Sequence, residues 1–475
     1  MGKTRWAVVG SGASAVAAIA ALNARGIAPT VFECSANQAP VTSQVPTFAG
    51  RMKGHLGSHD AYRMLPGDDN QIPKGTLARP SRYFGGFTRV WGGTFEFDRY
   101  LNRSFKHVNF DKDDFNLLAS IVPTTTSQEL SPAQISSPSQ RRSRSVGDVS
   151  VSLRRRSEFF GTEVQPTKIA VESRAGYPNK CVGTGVCLTG CPNHAIWFAG
   201  DEISRLAKAN KIQLMMGHKV TGLSRKPEFI SLSTISRNTS QSFSFDKVVL
   251  AAGPLATAEI ILRSTPVAAL KVRETLTAFG GIIAPRNIRR LENQPELANF
   301  SISASDGSSL AQVYPPSAEL GEEFIRRYPL LKSGARAVSH FSGHILPAVV
   351  YFSEDVSPTI TTRLSDSGRG LTLQYEKPKT ADLRDALRPI RFLLASNGYF
   401  LPWGGLEVPG SGSGFHFGAS LPMGVSTDEL GQLSGLRDVH IVDASVLPAI
   451  EVGSITAITT LNASRIIRMA VDDDS

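Results

Sequence analysis

The sequence predicts an α/β fold in which a nucleotide-binding unit is interrupted by a second, α+β unit built on an antiparallel sheet. Three observations carry the prediction: a strand, glycine turn, helix and strand between Arg5 and Glu33; recurring β-like runs from 276 to about 410; and a tail that returns to the opening strand and helix pattern. At 475 residues the chain is too long for one ordinary core, so two lobes are expected. Hydrophobic residues at 41% and charged residues at 19% suit a packed protein and argue against disorder.

Arg5 to Val9 is an apolar run of strand length. Gly10-Ser11-Gly12-Ala13-Ser14-Ala15 turns it into an alanine-rich helix reaching Arg25, Gly26 stops that helix, and Thr30 to Glu33 is the second strand. Between Thr124 and Arg144 the residues are Ser, Thr, Pro, Gln and Arg without periodicity, which predicts a mobile loop, a lid or a linker. Short β-like runs from Ile212 end in the stretch Lys247 to Gly253, a buried strand entering a tight turn, and a helix follows through Arg263. Farther on, Ala348 to Phe352 and Ile360 to Leu364 read as strands and Thr380 to Ser396 as one helix. Val439 to Val442 is the last strand, and the last helix runs from about Ser454 to Val471. Segments 1–100, 176–275 and 429–475 make up the nucleotide-binding unit, 101–175 a lid region with a flexible loop at 124–146, and 276–428 the second unit.

The net charge is +10, with basic residues bunched at Arg141, Arg142 and Arg144 and again at Arg154, Arg155 and Arg156. No aromatic residues interleave with them, so a solvated face is expected and a nucleic-acid partner is not, while an acidic substrate or a negatively charged partner fits the balance. The start of the chain shows no basic n-region, apolar h-region or cleavage site, and the longest apolar stretch, Ala15 to Leu22, falls well short of the roughly 18 to 20 residues that span a bilayer. A soluble, cytoplasmic protein without a membrane span is the expectation.

Gly10 and Gly12 let the backbone turn sharply after the strand and bring a pyrophosphate against a helix N-terminus, where unpaired N–H groups and the helix dipole favour negative charge. Ser14 and Ala15 lie in the first helical turn, Ala15 where the motif takes Gly or Ala. Glu33, ending the second strand, is placed to accept both ribose hydroxyls of an adenosine, and its charge disfavours a 2′-phosphate and hence NADP. The segment leaves FAD and NAD open.

Three of four cysteines fall in Lys180-Cys181-Val182-Gly183-Thr184-Gly185-Val186-Cys187-Leu188-Thr189-Gly190-Cys191-Pro192. Zinc would need a fourth ligand, which His194 can offer, although the spacing is not that of a usual finger or ribbon. Thiolates on a glycine-rich loop closed by Cys-Pro also suit an iron-sulfur cluster, with three ligands matching a three-iron (3Fe-4S) form. Reduced thiols without metal are the third reading. Cys34 reads as a small buried filler beside the adenosine end.

Further stretches resemble the glucose-methanol-choline family of flavoproteins. Gly85-Gly86-Phe87-Thr88-Arg89-Val90-Trp91-Gly92-Gly93 looks like the segment that wraps the flavin ring. The stretch Val249 to Ala258 is similar to the family's second signature. Phe415-His416 through Pro422-Met423-Gly424, then Val439 to Pro448, resembles its C-terminal block. The resemblance covers both ends and most of the nucleotide-binding framework, and matches the second unit only loosely.

The resemblance implies a discontinuous Rossmann-like FAD-binding domain, a substrate domain on an antiparallel sheet, and oxidation of an alcohol or sugar hydroxyl by hydride transfer to flavin N5. Residues implied to bind FAD are Gly10, Gly12, Ser14, Ala15, Glu33, Gly86, Val90, Trp91, Gly92, Gly93, Val220, Ala252, Gly253, Asp443, Ala444, Ile455 and Thr456. A last helix starting near Ser454 would aim its positive end where negative charge develops on the reduced flavin. The C-x5-C-x3-C spacing resembles that of flavin dehydrogenase subunits that pass electrons through a cluster at Cys181, Cys187 and Cys191 to an external protein or quinone.

Losing hydride from an alcohol requires losing its proton too, so a neutral imidazole within reach is needed, and His416 stands at the family's histidine position. A structural turn residue is the other reading of a histidine in this Gly/Ser-rich run. Where the family usually has a second His or Asn, this chain has Ser454, a hydrogen-bonding group but a poor base. Either His416 carries proton transfer alone, or the chemistry is less ordinary. His340, His344, Tyr351 and Trp403 can line a polar pocket or serve structure; the sequence does not choose. An oxidase using oxygen, or an electron-transfer component of a larger assembly, are the competing functions.

Overall fold

The computed structural model describes residues 4–36, 70–71, 78–130, 144–185, 187, 191–289, 291, 294–316, 342–375, 379–408, 410–412 and 415–473. The opening strand, Trp6–Val9, is buried at all four positions, as expected for a parallel strand covered on both faces. It lies in the middle of a five-stranded parallel sheet whose order is Gln213–Met216, Thr30–Glu33, Trp6–Val9, Lys247–Leu250 and Val439–Ile441. Helix Ala13–Ala24 follows the glycine turn, and its alanines let the last helix, Thr456–Asp472, pack closely along it. An antiparallel meander of Lys219–Arg225, Ile230–Ser236 and Thr239–Phe245 sits beside the second strand and under helix Pro254–Ser264. Strands from the beginning, middle and end of the chain thus share one sheet.

The second sheet is antiparallel, in the order Thr277–Ile283, Ile345–Phe352, Ser309–Val313, Phe300–Ala304 and Thr162–Pro166. Its edge strand Thr162–Pro166 comes from far before residue 276, where the sequence reading had begun the sheet. Pairing of Ile302 with Ala311 and of Ala311 with Val350 puts these on one face, which packs with Phe300, Val313 and Phe352 against helices Val146–Arg154, Thr380–Ala386 and Arg388–Ser396. Since side chains alternate along a strand, the opposite face carries Ser301, Gln312, Leu310 and Tyr351, which are also register partners. A third, antiparallel sheet joins Leu371–Tyr375, Ile360–Leu364, Leu270–Glu274 and Phe417–Gly418.

Two expectations are corrected in detail. The single helix expected at Thr380 to Ser396 is two, meeting at Leu387, because the ring of Pro389 clashes with the carbonyl four residues back and has no N–H to continue the ladder. Within the expected loop, Thr125–Thr126 pairs with Lys168–Ile169 and Ser127–Leu130 is helical, while 131–143, with Arg141 and Arg142, lies outside the described residues. The second arginine cluster ends a helix capped reciprocally by Ser145 and Asp148: Arg154 Nε donates to the Val164 carbonyl, and an Arg156 guanidinium nitrogen to that of Ser396. Among the described residues, no helix is long and apolar enough to cross a membrane.

Gly10 is the tightest point of the parallel-sheet unit. Its φ of +110° is one that L side chains rarely adopt, and a Cβ there would sit 2.4 Å from the Ala251 carbonyl oxygen. Gly10→Ala is expected to destabilise the protein by at least about 2 kcal/mol, combining backbone strain with that clash; chemical unfolding measures it, and a change within about 0.5 kcal/mol would refute the close approach.

Candidate active site

The carboxyl ends of the parallel strands bring Gly10–Gly12, Glu33, Ala252–Gly253 and Asp443 to one edge, the crevice where open α/β sheets bind ligands. Ser11 organises it: its hydroxyl donates to the buried Glu33 carboxylate and accepts from the Gly85 N–H at 2.8 Å, tying the second glycine segment to the first. Gly86 lies over Gly12, with room for a Cβ only 3.5 Å from the Gly12 Cα. Glu33 also accepts from the Ser35 N–H at 2.7 Å and the Cys34 thiol at 3.4 Å; burial raises its pKa, against those hydrogen bonds. The Cys34 thiol, pushed far up by the same burial and the neighbouring carboxylate, is the inert filler expected.

On the other side Asp443 accepts from the Gly253 N–H at 3.0 Å, the Thr257 hydroxyl and the Ser445 N–H at 2.9 Å, fastening the turn after Lys247–Leu250 to the last strand. Ala444 is buried beside it, and Val220 is buried on the meander strand next to Thr30–Glu33. Ser14 and Ala15 are buried in the first helical turn. A Cβ built at Gly12 or Gly253 would meet nothing within 4 Å, so open space stands at the start of both following helices. Bare backbone, open space and helix N-termini fit a pyrophosphate, and therefore FAD or another dinucleotide.

The second glycine segment runs from this edge to the antiparallel sheet. The Trp91 indole N–H donates to the Trp197 carbonyl at 3.0 Å, Val90 is buried, and a Cβ on Gly92 would lie 3.8 Å from the Tyr314 hydroxyl. Gly93 packs towards Ile196 and Leu297. Beside the segment the polar sheet face presents Gln312, whose carbonyl oxygen accepts from Tyr314 at 3.3 Å and Tyr351 at 3.4 Å. The Tyr351 ring is stacked on His416, with centroids 5.2 Å apart and planes 19° apart. Burial lowers the His416 pKa to about 4, against a hydrogen bond with the Gly453 backbone, so the imidazole is neutral at physiological pH. Its Nδ1 is enclosed without a partner.

Ser454 is close by but occupied: its hydroxyl donates to the Thr94 carbonyl at 2.9 Å and accepts weakly from the Thr456 N–H at 3.4 Å. Ile455 and Thr456 begin the last helix. Arg99 reaches the same region; its guanidinium meets Glu96 at 3.3 Å and donates to Ser301 at 3.2 Å, which compensates its charge.

The sequence reading did not choose among four pocket residues, and the structure separates them. Tyr351 reaches His416. The His344 ring bonds the Ala284 carbonyl at 3.1 Å, and Trp403 packs with the core on the far face of the sheet. His340 lies outside the described residues. Gln312, Tyr314 and Arg99 were not found from sequence, although the alternation in Phe300-Ser301-Ile302-Ser303 signals a polar face.

Cys181, Cys187 and Cys191 line one small cavity with Gly183, Gly185 and Ala195. The Ala195 N–H points at the Cys191 sulfur at 3.3 Å, the Gly183 backbone bonds Cys181, and burial raises the Cys181 pKa. Among the described residues no three His, Cys, Asp or Glu side chains form a group that could hold a metal ion. That weighs against zinc and gives the iron-sulfur reading no support either.

No family model matches this chain, and no curated protein matches it in sequence. Solved structures do. A pyridoxine 4-oxidase from Mesorbium loti is 14% identical, with 99% of each chain covered and a TM-score of 0.59. An FAD-dependent oxidoreductase from Chaetomium thermophilum is 12% identical, covering 99% of this chain and 100% of the other at a TM-score of 0.56. Over its whole length, the chain has the fold of FAD-dependent oxidoreductases.

Proposed function

We propose that this protein is an FAD-dependent oxidoreductase that oxidises a hydroxyl group of a sugar, polyol or other alcohol, with His416 as the proton acceptor. The observation that carries the reading is a neutral imidazole stacked on Tyr351, between the polar sheet face and the Gly453–Ser454 turn before the last helix. Bound FAD supplies the two-electron acceptor, taking the substrate's hydride at N5. Gly10, Gly12 and Gly253 leave room for the pyrophosphate, Glu33 and Val220 mark the adenosine end, and Gly86 to Gly93 the flavin end. The N-terminus of the last helix, at Ile455 and Thr456, offers N–H groups and a positive dipole end to the flavin.

The imidazole has the protonation state the task needs, since only the neutral ring accepts a proton. A neutral imidazole keeps one ring nitrogen unprotonated, and that nitrogen is the acceptor for the hydroxyl proton. The Ser454 hydroxyl is committed as hydrogen-bond donor to the Thr94 carbonyl and holds the turn, so His416 acts alone as the base. The fold likeness to a pyridoxine 4-oxidase agrees with an alcohol substrate.

Reduced flavin must pass on two electrons. Cys181, Cys187 and Cys191, which line one cavity, would be the ligands of a 3Fe-4S cluster if one is bound; it would supply a route to an external acceptor protein or quinone and make the enzyme a dehydrogenase. Without a cluster, direct oxidation by oxygen is the alternative.

His416→Ala is expected to slow anaerobic flavin reduction by substrate about 10²- to 10⁴-fold while FAD is retained; an unchanged rate rejects the assigned role. In the wild type the rate should be lost as pH falls through about 4, where the ring itself protonates. For the relay, protein purified without oxygen should contain iron and labile sulfide beside flavin, both lost on replacing Cys187 by Ser. Flavin without iron leaves the thiols structural and brings the oxidase forward.

A further inference from the structure

Glu274 is a buried carboxylate that the proposed chemistry does not use. It ends strand Leu270–Glu274 at 1% exposure, and none of the described charged groups acts on it. Its two oxygens accept from the Ser411 hydroxyl, at 2.6 Å, and from the Gly412 N–H. The Gly412 carbonyl in turn accepts the Phe415 N–H at 3.2 Å. Phe415 has a φ of +55°, a left-handed conformation that costs a bulky side chain on the order of 1–3 kcal/mol and persists only when its surroundings enforce it. The next residue is His416, whose carbonyl accepts the Thr275 N–H at 3.0 Å, and Glu274 pairs with Phe417 across the strands. The carboxylate grips Ser411 and Gly412 ahead of the histidine, while the backbone beside it grips the histidine and the residue after it.

We propose that Glu274 is a positioning residue: its ionised carboxylate holds Ser411 and Gly412, and through Gly412 the strained Phe415 that aims the His416 ring, and protonation loosens the hold. The ionised form makes two charge-assisted hydrogen bonds, which are roughly twice as strong as neutral ones; the acid retains one acceptor oxygen and must turn its own proton towards Ser411. Burial raises the Glu274 pKa to about 7, against the pull of Ser411 and Gly412, so the change falls near neutral pH. The sign follows for stability as well. A carboxyl raised in the fold contributes stability below about 4.5 that is lost as pH rises through about 7, so the hold is strongest where this group stabilises the fold least.

The role rests on His416 being the base, but its test does not require a substrate. In FAD-loaded protein carrying ¹³C-labelled histidine rings, the His416 resonance is identified by its absence in His416→Asn. It should shift with an inflection near about pH 7 although the ring itself titrates near about 4. Glu274→Gln should remove the inflection. Ser411→Ala, which deletes one hydrogen bond to the charged form, should move it to higher pH and serves if the glutamine variant does not fold. A wild-type signal flat through neutrality, or an inflection surviving in Glu274→Gln or unmoved in Ser411→Ala, overturns the proposal. An inflection behaving as expected, beside flavin reduction indifferent to His416→Ala, would leave the hold standing and remove the catalytic reading.

Discussion

The contact on which the site depends is the approach of Gly10 to the neighbouring strand turn. Its N–H donates to the Phe32 carbonyl at 2.9 Å, while its Cα faces the Ala251 carbonyl at a distance that leaves no room for a Cβ. Gly10 is therefore held between the strands on both sides, and the three carboxyl ends are drawn to one edge. Only with that packing can Ser11 reach both Glu33 and Gly85. The short sequence Gly10-Ser11-Gly12 thus sets the backbone path of the first helix and the position of a segment more than seventy residues later in the chain.

The second sheet obeys a different constraint. Its apolar residues alternate onto the face covered by helices, which leaves a face of Ser301, Gln312 and Tyr351 that needs polar neighbours. The parallel-sheet unit supplies two of them, Arg99 donating to Ser301 and Gly92 lying by the Tyr314 hydroxyl, and His416, stacked on Tyr351, supplies the third. The candidate active site lies there because the alternation of this sheet and the glycine segment of the other meet face to face.

How much was legible follows from how local each signal is. The Gly10 turn, the strands Thr30–Glu33 and Lys247–Leu250 and the last helix are written in contiguous patterns, and the sequence reading located them to within a residue or two. Clustering in sequence also pointed to the three cysteines, because a short loop has few ways to separate them. Residues that matter only through pairing were not readable. Gln312 needs the register with Tyr351, and Glu274 needs a turn more than 130 residues away. Strand Thr162–Pro166 joined a sheet whose other members begin over a hundred residues later, and single-sequence periodicity carries no pairing information. Ser454 shows the converse: its position was read, but that its hydroxyl donates to the Thr94 carbonyl depends on the fold.

The electrostatics of the site follow from what is kept out of it. The chain carries +10 overall, yet burial, not a neighbouring charge, is the largest influence on both His416 and Glu274, and Arg99 is compensated by Glu96. Desolvation disfavours whichever form is charged, so it lowers the histidine pKa and raises the glutamate pKa, driving the two apart in opposite directions. A strong cation beside Glu274 would favour its ionised form, and an anion beside His416 would raise the pKa of the ring. By excluding both, the fold obtains a neutral imidazole over a wide range of pH and, nearby, a carboxyl whose proton is exchangeable near neutrality.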